Sequence, residues 1–157
     1  MKLELTHKFS ASRISSTAKF TNLLHDGVEF SFRFHNMSAL LGRVGREVGE
    51  LQFASGEKFP RSYVQKIILT SNSDPLLEKT YKRTKHISRA KSFPVTLRAP
   101  WSKTALRLTF APLPHSIVVW DEERNDCSTF EPVFHRIMLA PGKSAEFTMS
   151  AEISQQQ

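Results

Sequence analysis

Apolar and polar residues alternate strictly between positions 28 and 35. Val28, Phe30, Phe32 and Phe34 occupy every second position, and polar residues stand between them. Successive side chains of a strand point to opposite faces of a sheet, so this segment is predicted to be a strand with one buried and one wet face. The three phenylalanines favour a packed core over a platform that stacks nucleobases, because a β-sandwich buries such a face.

A hairpin is predicted around Asp26 and Gly27, which directly precede this strand. The Asp-Gly dipeptide readily adopts the positive φ angles of a two-residue turn. Residues 19–25 would form the first arm of the hairpin, and residues 28–35 would form the second.

A second hairpin is predicted near the end of the chain. Pro141 and Gly142 separate a strand pattern at residues 130–139 from an alternating pattern at residues 145–153. The arrangement resembles the closing hairpin of immunoglobulin-like β-sandwich domains, and a likeness at the level of fold implies no function.

Strand patterns recur along the rest of the chain at a spacing of about ten residues, with proline in several turns. This spacing is typical of a β-sandwich or a jelly roll. We therefore predict an all-β or β-dominated α+β fold, an antiparallel sandwich or jelly roll, in a single domain that spans residues 1–157. Residues 154–157 would be a frayed tail. The other predicted strands lie at residues 2–9, 63–70, 93–98, 105–110 and 116–120.

One or two short helices are expected to interrupt the strands. The first candidate is residues 74–91, a basic segment in which Asp74 can cap a helix and Pro75 suits its first position. Glu78 lies near the positive end of the helix dipole. A basic loop is the alternative for this segment.

The second candidate helix covers residues 37–51, where apolar residues recur at helical intervals. Glycines at positions 42, 45 and 49 oppose it, because each costs up to about 1 kcal/mol in a helix interior. A pair of strands punctuated by glycine is therefore the alternative.

The net charge of +7 is concentrated in the middle of the chain. Residues 57–107 hold 12 Lys or Arg against 3 Asp or Glu, whereas residues 108–157 hold 3 against 7. Such asymmetry suits contact with nucleic acid or an acidic surface, or attraction between neighbouring copies. The predicted anion or nucleic-acid contacts are Lys79, Lys82, Arg83, Lys85, His86, Arg89 and Lys91. The predicted acidic contacts to another subunit are Asp121, Glu122, Glu123 and Asp126.

No catalytic residue, metal site or cofactor is predicted from the sequence. Cys127 and His135 supply one thiol and one imidazole, which are too few ligands for structural zinc. His115, Asp121 and Cys127 contain the residue types of a nucleophilic triad, but no glycine-flanked nucleophile elbow accompanies them. The acidic cluster at 121–126 lacks the order of an EF-hand loop, so a solvated loop is favoured over a cation site.

The location of the protein in the cell is predicted from its N-terminal residues and from the length of its apolar runs. Residues 1–7 lack the apolar core of a signal peptide, and no apolar run approaches the roughly 20 residues that cross a bilayer. The single cysteine, Cys127, cannot form an internal disulfide. The expected location is therefore the cytoplasm or a virus particle, without a transmembrane segment and without secretion through a signal peptide.

These features predict a non-enzymatic structural or interaction subunit of a larger assembly. A capsid or tail component of a virion is one such subunit, by analogy of fold class. Its partners would be other protein subunits, in self-association or hetero-association, and nucleic acid bound by the basic segment. No small-molecule substrate is identified. The alternative is a free-standing protein that binds RNA or single-stranded DNA through the same residues.

Overall fold

The computed structural model describes residues 1–38, 43–44, 47–60, 66–68, 84–86, 93–122 and 127–155. Within these ranges the chain forms sixteen strands and no helix. The strands are β1 (Lys2–Phe9), β2 (Arg13–Thr21), β3 (Val28–Phe30), β4 (Asn36–Ser38), β5 (Arg43–Val44), β6 (Glu47–Val48), β7 (Glu50–Phe53), β8 (Lys58–Pro60), β9 (Lys66–Ile68), β10 (Thr84–His86), β11 (Val95–Arg98), β12 (Thr104–Ala111), β13 (Ser116–Glu122), β14 (Cys127–Val133), β15 (Ile137–Leu139) and β16 (Ser144–Gln155).

Most of the strands belong to two sheets. The larger sheet has the strand order β1-β2-β16-β12-β11-β7-β8, and the smaller sheet has the order β10-β9-β13-β14-β4. Two short ladders join β3 to β15 and β5 to β6. Among the described strands, β9 and β10 form the one parallel pair. The prediction of an all-β, antiparallel sandwich is confirmed.

The two sheets pack against each other around one hydrophobic core. Val95 and Leu108 of the larger sheet and Ile117 of the smaller sheet are buried in the same cluster. The rings of Phe110 and Phe130 stack between the sheets, with their centroids 6.2 Å apart. Burial of each such side chain stabilises the fold by roughly 1.5–3 kcal/mol, so this interface is the main source of stability.

The alternating segment at residues 28–35 contributes its phenylalanines to this core. The ring centroid of Phe32 lies 5.0 Å from that of Phe147 and 6.0 Å from that of Phe134. Phe30 and Phe34 pack against the same cluster. The prediction that these rings form core is therefore confirmed. The residues between them are exposed, and they are Glu29, Ser31, Arg33 and His35.

The predicted hairpin around Asp26 and Gly27 is wrong. β2 pairs with β1 along one edge and with β16 along the other, so no edge of β2 remains for β3. β3 pairs with β15 instead. Gly27 also lacks the positive φ angle of a tight turn, which Gly56 and Gly142 adopt in the described chain. Pairing with distant strands overrides the local turn signal here.

Asn22 fixes the segment that leaves β2. Its side chain is completely buried, and its Nδ2 donates to the carbonyl oxygens of Asp26 at 2.7 Å and Leu139 at 2.9 Å. Its Oδ1 accepts a hydrogen bond of 2.9 Å from the backbone N–H of Leu24. One side chain thus ties this segment to the end of β15.

Replacing Asn22 with Ala should lower the free energy of unfolding by about 2–4 kcal/mol, because the Leu139 carbonyl loses its hydrogen-bond partner in a buried place and two part-buried backbone groups also lose theirs. Urea denaturation measures the effect. Ser55→Ala is the control, since Ser55 is exposed and its hydroxyl bonds only to the exposed carboxylate of Glu57. An Asn22→Ala variant as stable as the Ser55→Ala variant would contradict this account.

The first strand, β1, lies where the sequence predicts it, but its apolar residues are not buried. Leu3, Leu5 and Phe9 are 51%, 60% and 73% exposed. Among the described strands, β1 is the outermost of the larger sheet and pairs with β2 alone. These side chains therefore add little to the core.

The predicted hairpin at the end of the chain is also wrong. The turn at Pro141 and Gly142 is present, and Gly142 has a φ angle of 71°. However, β15 pairs with β3, whereas β16 pairs with β2 and β12 in the larger sheet. The turn therefore joins two different sheets, which a local pattern cannot reveal.

The segment at residues 37–51 contains strands instead of the predicted helix. β5 and β6 form an antiparallel pair, with Arg43 opposite Val48 and Val44 opposite Glu47. The strand pair punctuated by glycine was thus the correct alternative. The physical reason is the cost of several glycines in a helix interior.

The basic segment at residues 74–91 lies mostly outside the described residues, including the predicted helix start at Asp74 and Pro75. Its described part, Thr84–His86, is the strand β10. At the end of the chain, Ser154 and Gln155 belong to β16. The described ranges contain no helix with the length and apolarity needed to cross a membrane.

Candidate functional site

The strands of the smaller sheet align in backbone rows. One row contains the backbones of Glu131, Val118, Lys66 and Thr84, and the row two residues further along contains those of Val133, Ser116, Ile68 and His86. The side chain of Glu131 lies on the face that points away from the core, which we call the outward face. On the other side of β14, Arg33 pairs with Val133, and the same antiparallel register puts His35 beside Glu131.

Glu131 is a buried carboxylate at the centre of this face, with 2% of its side chain exposed. Its Oε1 lies 3.1 Å from Nε2 of His35 and accepts a hydrogen bond of 3.3 Å from Oγ1 of Thr129. Its Oε2 lies 2.8 Å from Nη1 of Arg33, an ion pair without hydrogen-bond alignment. A buried carboxylate is unfavourable unless it is paired, so these three side chains stabilise its charge. We call Arg33, His35, Thr129 and Glu131 the Glu131 site.

The chain builds this site by alternation in two strands. Phe32 and Phe34 pack against the core, so Arg33 and His35 between them point outward. On β14, Phe130 belongs to the core, and Glu131 faces the other way. In an antiparallel pair, outward residues from the two strands stand side by side. The apolar neighbours thus bring the acid and the basic side chains together.

The four side chains of the Glu131 site differ strongly in their exposure to solvent. The side chains of Arg33 and His35 are 53% and 57% exposed, whereas Thr129 is buried with Glu131. The imidazole and the guanidinium therefore reach solvent, and the carboxylate lies beneath them. Such an arrangement can exchange protons with a bound ligand and can hold a negative charge.

Two further histidines lie near the end of β14, His135 two residues after it and His115 directly before β13. Phe134 is buried, and its N–H donates to the carbonyl oxygen of Phe32 at 2.9 Å, so His135 points outward as Val133 does. The ring of His115 lies 4.9 Å from that of His135, and its Nδ1 lies 2.7 Å from the carbonyl oxygen of Val133. We call His115 and His135 the imidazole pair.

The predicted anion contacts fall largely outside the part of the chain that the structure describes. The residues outside it are Lys79, Lys82, Arg83, Arg89 and Lys91. Lys85 and His86 belong to β10, and the backbone of His86 stands in the row of Val133. A contact between these seven residues and an anion stays a prediction.

The predicted acidic contact is described in part. Asp121 and Glu122 end β13, where Glu122 pairs with Cys127 at the start of β14. Glu123 and Asp126 lie outside the described residues. The assignment of these acids to a subunit contact stays a prediction. In the described ranges, no three His, Cys, Asp or Glu side chains are close enough to hold a metal ion.

Sequence reasoning missed the Glu131 site. Arg33 and His35 were visible as the wet face of a predicted strand, but nothing local connects them with Glu131. The available signal was a single carboxylate between Phe130 and Pro132 in an apolar strand pattern. A charged residue at such a position must find a partner or face outward.

Comparison with solved structures identifies the fold of this chain, whereas comparison of sequences finds no match. No family model matches the sequence, and no curated protein sequence matches it significantly. Three solved structures each align with 98% of this chain. A galactose mutarotase related enzyme from Lactobacillus acidophilus is 11% identical, with a TM-score of 0.64. A galactose mutarotase-like protein from Clostridium acetobutylicum is 11% identical, with a TM-score of 0.62. A candidate aldose 1-epimerase from Escherichia coli K12 is 16% identical, with a TM-score of 0.62.

The likeness covers only part of those structures. This chain spans 61% of the Lactobacillus protein, 56% of the Clostridium protein and 60% of the Escherichia protein. At these identities the likeness establishes the shared fold. It does not show that this chain shares their activity.

The matches contradict the expectation of a non-enzymatic virion subunit. The structures that share this fold carry the names of sugar epimerases and mutarotases, which are enzymes with a small-molecule substrate. The expected absence of enzymatic activity, the virion and nucleic-acid keywords and the absence of a small-molecule substrate are therefore wrong. The error arose because the virion was inferred by analogy of fold class, and one fold class hosts many unrelated functions.

Proposed function

We propose that this chain carries the catalytic site of an aldose 1-epimerase, which interconverts the α and β anomers of a sugar. The contact of 3.1 Å between Oε1 of Glu131 and Nε2 of His35 carries the proposal. The likeness of the fold to galactose mutarotase-related proteins supports it.

Epimerisation at C1 requires a proton acceptor and a proton donor. The acceptor takes the proton of the anomeric hydroxyl while the donor protonates the ring oxygen. The bond between C1 and the ring oxygen breaks, and C1 becomes an aldehyde. After rotation about the C1–C2 bond, the hydroxyl that was the ring oxygen attacks the opposite face of C1, and both protons return. Because both oxygens are bonded to C1, the acceptor and the donor must be neighbours, as Glu131 and His35 are.

We assign the acceptor role to Glu131 and the donor role to His35. The Glu131 carboxylate is held in its anionic form by Arg33, whose Nη1 lies 2.8 Å from Oε2. His35 is the more exposed of the reacting pair. A bound sugar would replace the direct contact between them, with the anomeric hydroxyl at Oε1 and the ring oxygen at Nε2. In the open-chain state Glu131 holds one extra proton and His35 one fewer, so the protons balance.

Thr129 and Arg33 position the carboxylate in this scheme. The Thr129 hydroxyl donates to Oε1 at 3.3 Å and orients the oxygen that accepts the proton. Arg33 lies against the other oxygen and compensates its charge in a buried place. Each thus acts through Glu131.

Polarimetry tests the proposed function. Freshly dissolved α-glucose or α-galactose changes its optical rotation as the anomers equilibrate, and the purified protein is expected to accelerate this change in proportion to its concentration. A rate equal to the spontaneous rate with every aldose tried would contradict the proposal.

A further inference from the structure

The first strand, β1, has a regular edge that no other strand of the described chain covers. β1 pairs with β2 along one edge, and among the described strands none pairs with the other. All eight of its residues are exposed. The ladder with β2 runs without a bulge from Lys2 to Phe9, and the strand contains neither proline nor glycine. A long, regular edge of this kind is a template for pairing with another strand.

The apolar side chains of β1 lie beside this edge. Leu3 and Leu5 stand opposite Phe20 and Ala18 of β2, which pack in or against the core. Residues directly opposite in an antiparallel pair share a face, so the apolar residues of β1 continue the face of the larger sheet that packs the core. They are nevertheless exposed, by 51% at Leu3, 60% at Leu5 and 73% at Phe9. Contiguous apolar residues on a surface mark a contact with another protein.

A second copy of β1 complements this edge in one register. When two copies of the strand run antiparallel about a two-fold axis at Thr6, Leu3 stands opposite Phe9 of the second copy. In the same register Glu4 stands opposite Lys8 of the second copy. The symmetry repeats each pairing, because a two-fold contact uses the same residues on both copies. The register thus joins apolar to apolar and acidic to basic side chains.

The neighbouring registers lack this charge complementarity. An axis at Leu5 would set Lys2 opposite Lys8, and an axis at Glu4 would set the two Glu4 carboxylates opposite each other. An axis at His7 would remove the pairing of Glu4 with Lys8. Opposite charges across a strand pair are stabilising, and like charges are destabilising. Within one copy, Nζ of Lys2 lies 3.0 Å from Oε1 of Glu4, which leaves Oε2 as the oxygen that faces Lys8 of the second copy.

We propose that two copies of this chain associate through β1, antiparallel about a two-fold axis at Thr6, so that their larger sheets join into one continuous sheet. The Glu131 site lies on the smaller sheet, so the dimer does not depend on the proposed function. Because one strand from each copy forms the contact, its area is small and the expected Kd is micromolar. At concentrations well below this Kd the chain is a monomer, in which Phe9 is exposed.

Sedimentation velocity tests the association. The measured mass should rise from 17.9 kDa to twice that value as the concentration increases from about 1 μM to about 1 mM. A single species of 17.9 kDa at the highest concentration would overturn the proposal. Growth into assemblies larger than a dimer would also overturn it, because a two-fold contact closes after two copies.

Cysteine cross-linking tests the register. In a Cys127→Ser background, Thr6→Cys brings two thiols opposite each other at the axis, where the Cα separation of about 4.5–5.5 Å suits a disulfide. Mild oxidation should convert most of this variant into a covalent dimer. Leu5→Cys and His7→Cys should cross-link only when the two variants are mixed, because residue 5 of one copy stands opposite residue 7 of the other. Faster cross-linking of Leu5→Cys or His7→Cys alone than of Thr6→Cys would show a different register and overturn the proposal.

Charge reversal at Lys8 tests the contact with Glu4. Lys8→Glu should raise the Kd of the dimer by about tenfold or more, because it replaces attraction by repulsion at both symmetric positions. Lys103→Glu is the matched control, since Lys103 is exposed in the turn between β11 and β12 and its reversal changes the net charge equally. The control should keep the Kd of the wild type. If Lys8→Glu associates as tightly as Lys103→Glu, the proposed pairing is wrong.

Discussion

Replacing Glu131 with Gln is expected to lower kcat for anomer interconversion by about 10²- to 10⁴-fold, the usual contribution of a positioned acid or base. The amide has nearly the shape of the carboxylate but cannot accept the anomeric proton. His35→Gln should cause a loss of the same order, because Nε2 of His35 is the proposed donor, 3.1 Å from Oε1 of Glu131. Polarimetry at saturating sugar measures kcat directly.

The controls for these two variants are Glu29→Gln and His25→Gln. Glu29 is an exposed carboxylate that pairs with Arg136, and His25 is exposed in the segment between β2 and β3. Both controls should retain the wild-type kcat. If Glu131→Gln folds and keeps a kcat within threefold of the wild type, the assignment of Glu131 as the proton acceptor is wrong.

Replacing Phe147 with Ala should lower the free energy of unfolding by about 3–5 kcal/mol, as expected when a large side chain is removed from a packed core. Phe147 is 3% exposed. Its ring centroid lies 4.9 Å from that of Phe134 and 5.0 Å from that of Phe32. Phe32 and Phe134 are the immediate neighbours of Arg33 and His135, so the cavity would also loosen the support beneath the outward face.

Phe9→Ala is the matched control for this variant, because it removes the same side chain from a position that is 73% exposed. Its effect on the free energy of unfolding should stay within about 0.5 kcal/mol. Urea denaturation of the two variants gives the comparison. Equal destabilisation by both would show that the phenylalanine cluster is not the core of the fold.

The class of the fold could be predicted from the sequence because the signal for it is local. The alternation of Phe30, Phe32 and Phe34 with polar residues requires only that one face of the strand be buried, and the structure buries it. The same alternation predicted that Arg33 and His35 lie on the solvent-facing side of this strand. The spacing of the later strands likewise indicated a β-rich fold.

Pairing between strands could not be predicted, because it depends on residues far apart in the chain. Asp26 and Gly27 have the residue types of a tight turn, yet β2 is already paired along both edges. The turn at Pro141 and Gly142 exists, but the two strands beside it belong to different sheets. Local turn chemistry is a weak guide where both strand edges have other partners.

The Glu131 site could not be predicted either, because it forms through pairing between strands that are far apart in the sequence. His35 meets Glu131 only because residues 33–38 lie antiparallel to β14. The basic segment at residues 74–91 has the stronger signal in composition, whereas the Glu131 site is marked only by a single carboxylate in an apolar strand. A charged residue such as Glu131, flanked by residues that must be buried, was the more specific indication of chemistry.

The measurement that tests the central claim most directly is an NMR titration of the ¹⁵N-labelled Glu131→Gln variant with galactose and with glucose 6-phosphate. This variant should bind sugar while its turnover is about 10²- to 10⁴-fold slower. The account predicts that the perturbed backbone amides cluster at Arg33, His35 and Thr129. Perturbations confined to the outward face of the larger sheet, around the exposed residues Arg107 and Thr109, or no perturbation by either sugar, would contradict it.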